Sequence, residues 1–280
     1  MQRKIGVIGG NSLVGKYLTK LVAEKDECIA FTRQTLPASS GNLHWRSLQD
    51  LIDGKVEALD GIICLSHIWI APDLIKPLSE VGARKIVAIS STSRFTKIDS
   101  SDEKERLLAR KIEESEEKLI RRTKENGINC VILRPTLIHG DRNDKNVAEI
   151  GRTIERFRFF PIFGGADGLR QPIHARDVAQ ACILSYNSTN AKNKAYNIAG
   201  GETITYREMV ARIFTQRKLR PIFLPVPIWS FRLAAAGLRR LPRFRNLTVD
   251  MVLRMNENLV FSNSDAERDF GFNPVGFNPD

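Results

Sequence analysis

A short apolar run, Lys4 to Ile8, passes directly into Gly9-Gly10-Asn11-Ser12-Leu13-Val14-Gly15 and on into an amphipathic stretch, Leu13 to Lys25. No other feature limits the fold so tightly. A strand that turns on glycines into a helix points the first helical amides, and the positive end of the helix dipole, at whatever fills the turn. An anion suits that place, a phosphate above all. Against the pattern G-x-G-x-x-G, residues 10–15 give Gly10-x-Ser12-x-x-Gly15, with serine at the middle position, where the backbone comes closest to a pyrophosphate.

Downstream, apolar runs of strand length alternate with longer amphipathic stretches, the pattern of βαβ units in a parallel sheet. Strands are expected at Lys4–Ile8, Cys28–Thr32, Gly61–Leu65, Lys85–Ile89 and Asn129–Leu133. Helices are expected at Leu13–Lys25, near Ser47–Leu59, and at Ala71–Val81 and Asp102–Asn126. Right-handed crossovers bring these strands into one doubly wound sheet of the Rossmann type, with the ligand at their carboxyl ends. After Arg134-Pro135 the alternation breaks into shorter pieces: a helix at Asp177–Ser185 capped by Asp177, a strand at Ala195–Ile198 and a helix opened by Thr205. The expected organisation is α/β, a dinucleotide-binding part over 1–140 and a smaller, partly interwoven substrate lobe over 141–280.

Composition narrows the function classes. A chain of 280 residues with 42% hydrophobic and 27% charged residues is an ordinary globular one. The first apolar run is cut by Gly6, Gly9 and Gly10, too early for a signal peptide, and nothing approaches a membrane span. Cys28, Cys64, Cys130 and Cys182 stand far apart in apolar segments, without metal-site or disulfide spacing, which points to a reducing cytoplasm and no metal. The net charge of +11 is concentrated late: eleven Lys or Arg against Glu208 and Asp250 between Arg207 and Arg254. Over 227–245, helical spacing sets Arg232, Arg239 and Arg243 opposite Phe231, Ala234, Leu238 and Leu241, which suits either a packed lobe helix or peripheral contact with an anionic membrane. No nucleic-acid module is present, so nucleic acid is not an expected partner. The oligomeric state is left open.

The end of the second strand bears on the choice of dinucleotide. NAD sites usually carry an acid there for the ribose 2′-hydroxyl, whereas this chain reads Phe31-Thr32-Arg33. An arginine suits a 2′-phosphate, so NADP(H) is expected over NAD(H).

With the turn written Gly9-x-x-Ser12-x-x-Gly15, the chain resembles the extended and atypical branches of the short-chain dehydrogenase/reductase superfamily, NAD(P)-dependent epimerases and dehydratases of nucleotide sugars included. The resemblance continues through Ile89-Ser90-Ser91-Thr92-Ser93, Leu133 to Gly140, Gln171 to Ala179 and Asp269 to Pro274, nearly the whole chain. It implies that Gly9, Gly10, Asn11, Ser12, Leu13, Val14 and Gly15 hold the pyrophosphate. Thr32, Arg33, Ser66, Ser90, Lys111, Pro135 and Thr136 would line the rest of the cofactor. Ser91 would orient a substrate oxygen, and Thr92, Arg142, Arg170 and His174 would meet a substrate such as a sugar nucleotide.

One departure is chemical. The family's proton donor is a tyrosine four residues before a lysine, but Leu107 stands four before Lys111, and no tyrosine occurs between Tyr17 and Tyr186. Leucine exchanges no proton, and general acid–base help is worth roughly 10²–10⁴-fold. Three readings follow: Lys111 acts as the acid–base group, His139 does, or the chain binds cofactor without turnover as a regulatory or assembly protein. The plainer alternatives are a surface residue for Lys111, a loop residue bonded to backbone for His139, and surface charges for Arg142, Arg170 and His174.

Overall fold

The computed structural model describes residues 2–142, 144, 146–227 and 249–279. Seven parallel strands form its main sheet: β1 (Lys4–Ile8), β2 (Glu27–Thr32), β3 (Leu43–Ser47), β4 (Gly61–Cys64), β5 (Lys85–Ile89), β6 (Asn129–Pro135) and β11 (Lys194–Ile198). Their order across the sheet is β11-β6-β5-β4-β1-β2-β3. The chain runs outward from β1 through β2 to β3, then crosses back to β4 on the other side of β1. In such sheets the ligand position is above the carboxyl ends of the strands where the order reverses, here β1 and β4.

Alternation along each strand sends side chains to two cores. Ile5, Val7, Cys28, Ala30, Ile63, Val87 and Val131 face α1 (Leu13–Ala23) and α7 (Ala175–Asn187). Ile29, Phe31, Ile62, Cys64, Ile86, Ala88 and Ile132 face α3 (Ala71–Glu80) and α5 (Glu103–Glu125). A third cluster, with Ile154, Phe160, Ile162, Met209, Ile213 and Phe214, packs α6 (Val147–Phe157) and α8 (Tyr206–Gln216) around the short β8 (Phe160–Phe163). All four cysteines are buried and free; burial pushes the Cys28 and Cys130 thiols up to about 12 and that of Cys64 to about 11.

The strand at Ala195–Ile198 belongs to the main sheet, paired in parallel with β6, so the later sequence returns to the first sheet. Several expectations need correction. β3 was not expected. The helix near Ser47–Leu59 is only α2 (Leu48–Ile52), stopped before Gly54, which has φ of 67°. Asp177 does not cap α7. The strand pairing of Ile173 and His174 with Ile138 and His139 starts that helix earlier, and His174 caps it, Nδ1 accepting from the Arg176 amide. Asp177 lies buried in the first turn and accepts instead from the Val275 amide. Thr205 does open α8, accepting from the Glu208 amide. The basic stretch 227–245 lies outside the described residues except for Pro227. Among the described residues no helix is long and apolar enough to cross a membrane.

Candidate functional site

The first glycine turn sits at the sheet's switch point. Gly9 has φ of 84°, a left-handed value that favours glycine, and a Cβ there would lie 3.3 Å from Cβ of Leu65, just past β4. The Ser12 amide donates to the Gly9 carbonyl at 2.9 Å, and Ser12 Oγ accepts from the Gly15 amide at 3.0 Å, capping α1. The amides of Leu13 and Val14 open α1 and have no intrahelical acceptor by helix geometry. Gly15 is held tightest: a Cβ on it would stand 2.4 Å from the carbonyl oxygens of both Gly9 and Gly10. Gly10 is walled by Trp45 of β3, whose Cη2 lies 2.9 Å from where a Cβ would stand. A turn this narrow, with serine and fresh helix amides at its mouth, fits a dinucleotide pyrophosphate.

At the end of β2, Thr32 Oγ1 accepts from the Gln34 amide at 3.1 Å and from Asn11 Nδ2 at 3.3 Å. This closes the turn that carries Arg33, which is exposed. The residues at the end of β2, Thr32-Arg33-Gln34, include no acid. Ser66 flanks the other side of the glycine turn, its amide nitrogen 3.4 Å from the Gly9 Cβ position. The next residues form an unforeseen stack: His67 lies on Trp69 with ring centroids 4.3 Å apart, and Nζ of Lys111 sits 4.3 Å above the Trp69 ring.

Beyond β5 the hydroxyls part ways. Ser90 is buried and donates to Glu116 of α5. Ser91 is half-buried, its Oγ accepting from the Ser93 amide at 3.1 Å. Thr92 donates through Oγ1 to the Pro135 carbonyl at 3.1 Å, tying the end of β5 to the end of β6. Thr136 Oγ1 donates to the Gln171 carbonyl. Glu116, only 1% exposed, also holds Arg134 at 2.6 Å and Arg94, while Arg94 reaches Glu113 at 2.7 Å. Burial alone would raise the Glu116 carboxyl, but the Arg134 and Ser90 hydrogen bonds and the charges of Arg134 and Arg94 keep it below the usual carboxylate range.

This contact also sets the facing of α5. Stepping back from Glu116 by four-residue turns along one helix face reaches Ile112, which is buried, and then Leu108, which packs against the second core. Lys111 is exposed on the neighbouring face, and Leu107 is 55% exposed.

The remaining candidates fall elsewhere. His139, the other candidate acid–base group, is 1% exposed, between the rings of His174 at 5.2 Å and Phe277 at 4.9 Å. Arg142 is exposed, in the segment following β7 (Ile138–His139). Arg170 was expected to meet substrate phosphates. Its guanidinium is buried and donates to the carbonyls of Leu169, Glu257 and Arg254, with Tyr206 beneath it at 5.5 Å, which corrects that assignment. Trp45, Trp69, Glu116 and Tyr17 went unnoticed in the sequence, because each gains its place from a partner on a distant element.

Residues 65–199 match the model of the NAD dependent epimerase/dehydratase family. UDP-glucose 4-epimerase of Vibrio cholerae is 23% identical over 120 residues, 43% of this chain and 37% of that protein. NADH dehydrogenase [ubiquinone] 1 alpha subcomplex subunit 9 of Dictyostelium discoideum mitochondria is 29% identical over 85 residues, 30% of this chain and 23% of that protein. The chain thus spans little more than a third of the first of these curated relatives and less than a quarter of the second. Among solved structures, MoeE5 in complex with UDP-glucuronic acid and NAD superposes with a TM-score of 0.72 at 17% identity, covering 98% of this chain and 94% of the other. That likeness establishes the fold.

Proposed function

We propose that the chain, whose residues 65–199 match the model of the NAD dependent epimerase/dehydratase family, is an atypical short-chain dehydrogenase/reductase. It binds NADP(H) in preference to NAD(H) and acts as an oxidoreductase or epimerase on a sugar nucleotide or a lipid-linked sugar. The observation that carries this reading is the Gly9–Gly15 turn at the switch point, with exposed Arg33 beside it. The cofactor would supply hydride transfer at a carbinol or keto carbon. The chain's own part is to hold and orient: amides of α1 for the pyrophosphate, Arg33 for a 2′-phosphate, Ser91 for the substrate oxygen. The UDP-sugar and NAD named with the structural neighbour support the ligand classes. The lipid-linked alternative rests on the sequence of 227–245 alone.

A second reading, a non-catalytic NADP(H)-binding regulatory or assembly protein, is favoured by one feature. The α5 face aligned with Glu116 carries Ile112 and Leu108, with no phenol and no amine. Similarity to NADH dehydrogenase [ubiquinone] 1 alpha subcomplex subunit 9 points the same way. Titration with NADPH and NADH, followed by a panel of keto-sugar nucleotides, separates the readings. Net oxidation of NADPH with any of them, or inversion at a sugar carbinol carbon with the dinucleotide returned unchanged, supports the enzyme; tight binding with neither supports the second reading, and failure to bind either dinucleotide overturns both.

The nucleotide preference has its own test. Arg33→Ala is expected to weaken NADPH by about tenfold or more, the loss of a charge-assisted contact, while leaving NADH nearly unchanged. Equal losses for the two remove the argument for NADP(H).

A further inference from the structure

Tyr17 lies on α1 two residues beyond Gly15, and its hydroxyl donates a 2.6 Å hydrogen bond to Oδ1 of Asp141, far along the chain. Asp141 sits in an unusual corner just after β7: φ is 142° at Gly140, 54° at Asp141 and 51° at Arg142. Two successive non-glycine residues in left-handed conformation are costly, and such backbone persists only where its surroundings hold it. The Tyr17 hydroxyl bonds to it, and His174 crowds it: its Nε2 lies 3.1 Å from where a Cβ on Gly140 would stand, and its ring meets Tyr17 edge-on at 5.6 Å. The corner is therefore pinned to the helix whose first turn forms the phosphate cradle. Because Gly15 is wedged against the carbonyls of Gly9 and Gly10, an adjustment of that turn carries the start of α1, and Tyr17 with it.

The geometry points to Tyr17 and Asp141 as a clasp that couples occupancy of the Gly9–Gly15 turn to the order of the Gly140–Arg142 corner. Both are positioning residues for Arg142, the exposed cation of that corner. The inference rests on the dinucleotide reading above and requires no catalysis.

Amide hydrogen exchange on the full chain, with and without saturating NADPH, tests it. In the wild type, cofactor is expected to slow exchange across residues 138–142 by about tenfold, the weight of one hydrogen bond to a charged group. Tyr17→Phe, which removes only the hydroxyl, and Asp141→Ala are expected to keep NADPH affinity within about threefold, yet to lose most of that slowing. Unchanged melting of the free variants shows that they fold. Full slowing in both variants overturns the clasp, as does a wild-type segment indifferent to bound NADPH. If neither NADPH nor NADH binds the wild type, the titration alone shows it; the dinucleotide reading then fails first and the clasp falls with it.

Discussion

Gly15→Ala is expected to weaken dinucleotide binding about a hundredfold while leaving the chain folded. The added methyl would stand 2.4 Å from two backbone carbonyls, so neither a side-chain rotation nor a small relaxation can accommodate it. The turn must open, and the first amides of α1 then move away from the position where a pyrophosphate meets them. Hydrogen bonds to a charged group are worth about 1.5–3 kcal/mol each, so losing one or two amide contacts to the pyrophosphate lowers NADPH affinity by about a hundredfold. Overpacking costs roughly 1–3 kcal/mol of stability, which a chain of this size survives. Thermal melting reads both quantities at once: saturating ligand at about a hundred times its Kd adds about 2.7 kcal/mol to a binding-competent protein, and the variant should melt nearly alike with and without it. Lys20→Ala, on the exposed side of the same helix, serves as control. A Gly15→Ala protein that still gains the full ligand-induced shift would move the cofactor away from this turn.

The glycine turn was legible because its causes are local. Glycines, a capping serine and the apolar runs on either side all lie within about two dozen residues, and the bounds of β1 and the start of α1 fall where the pattern sets them. β3 was illegible for the opposite reason. Leu-His-Trp-Arg-Ser is half-exposed at the sheet edge and carries no apolar run, so only its pairing with β2 makes it a strand. Yet its Trp45 is what closes the space behind Gly10. The start of α7 shows tertiary structure overriding a local preference. Aspartate is a stronger capping residue than histidine, but the short pairing of Ile173 and His174 with Ile138 and His139 fixes where the helix begins, and Asp177 is left to hold the C-terminal segment. Arg170 reads as a surface cation in sequence because its three acceptors are backbone carbonyls, which have no sequence signature.

Glu116 is the clearest case of a residue whose sequence setting conceals its importance, and its removal carries the largest expected effect on stability. It reads as one acid in the run Glu113-Glu114-Ser115-Glu116-Glu117 on a charged helix, yet it alone of these acids is buried, because Arg94 comes to it from beyond β5 and Arg134 from β6. Glu116→Ala would leave two guanidiniums, each about 15% exposed, facing each other without their shared carboxylate, and Ser90 without its acceptor. Breaking a buried pair by removing one partner costs about 3–5 kcal/mol, here roughly 10 °C in melting temperature. The same carboxylate ties the ends of β5 and β6 to α5, so the hydroxyls of Ser90 and Ser91 should lose their fixed places together. Glu116→Gln keeps the shape but gives up the charge, and is expected to recover only part of the loss. Melting followed by circular dichroism checks both variants. A Glu116→Ala protein within about 1 kcal/mol of wild type would mean that the arginines find solvent readily and that the network is peripheral to the strand ends.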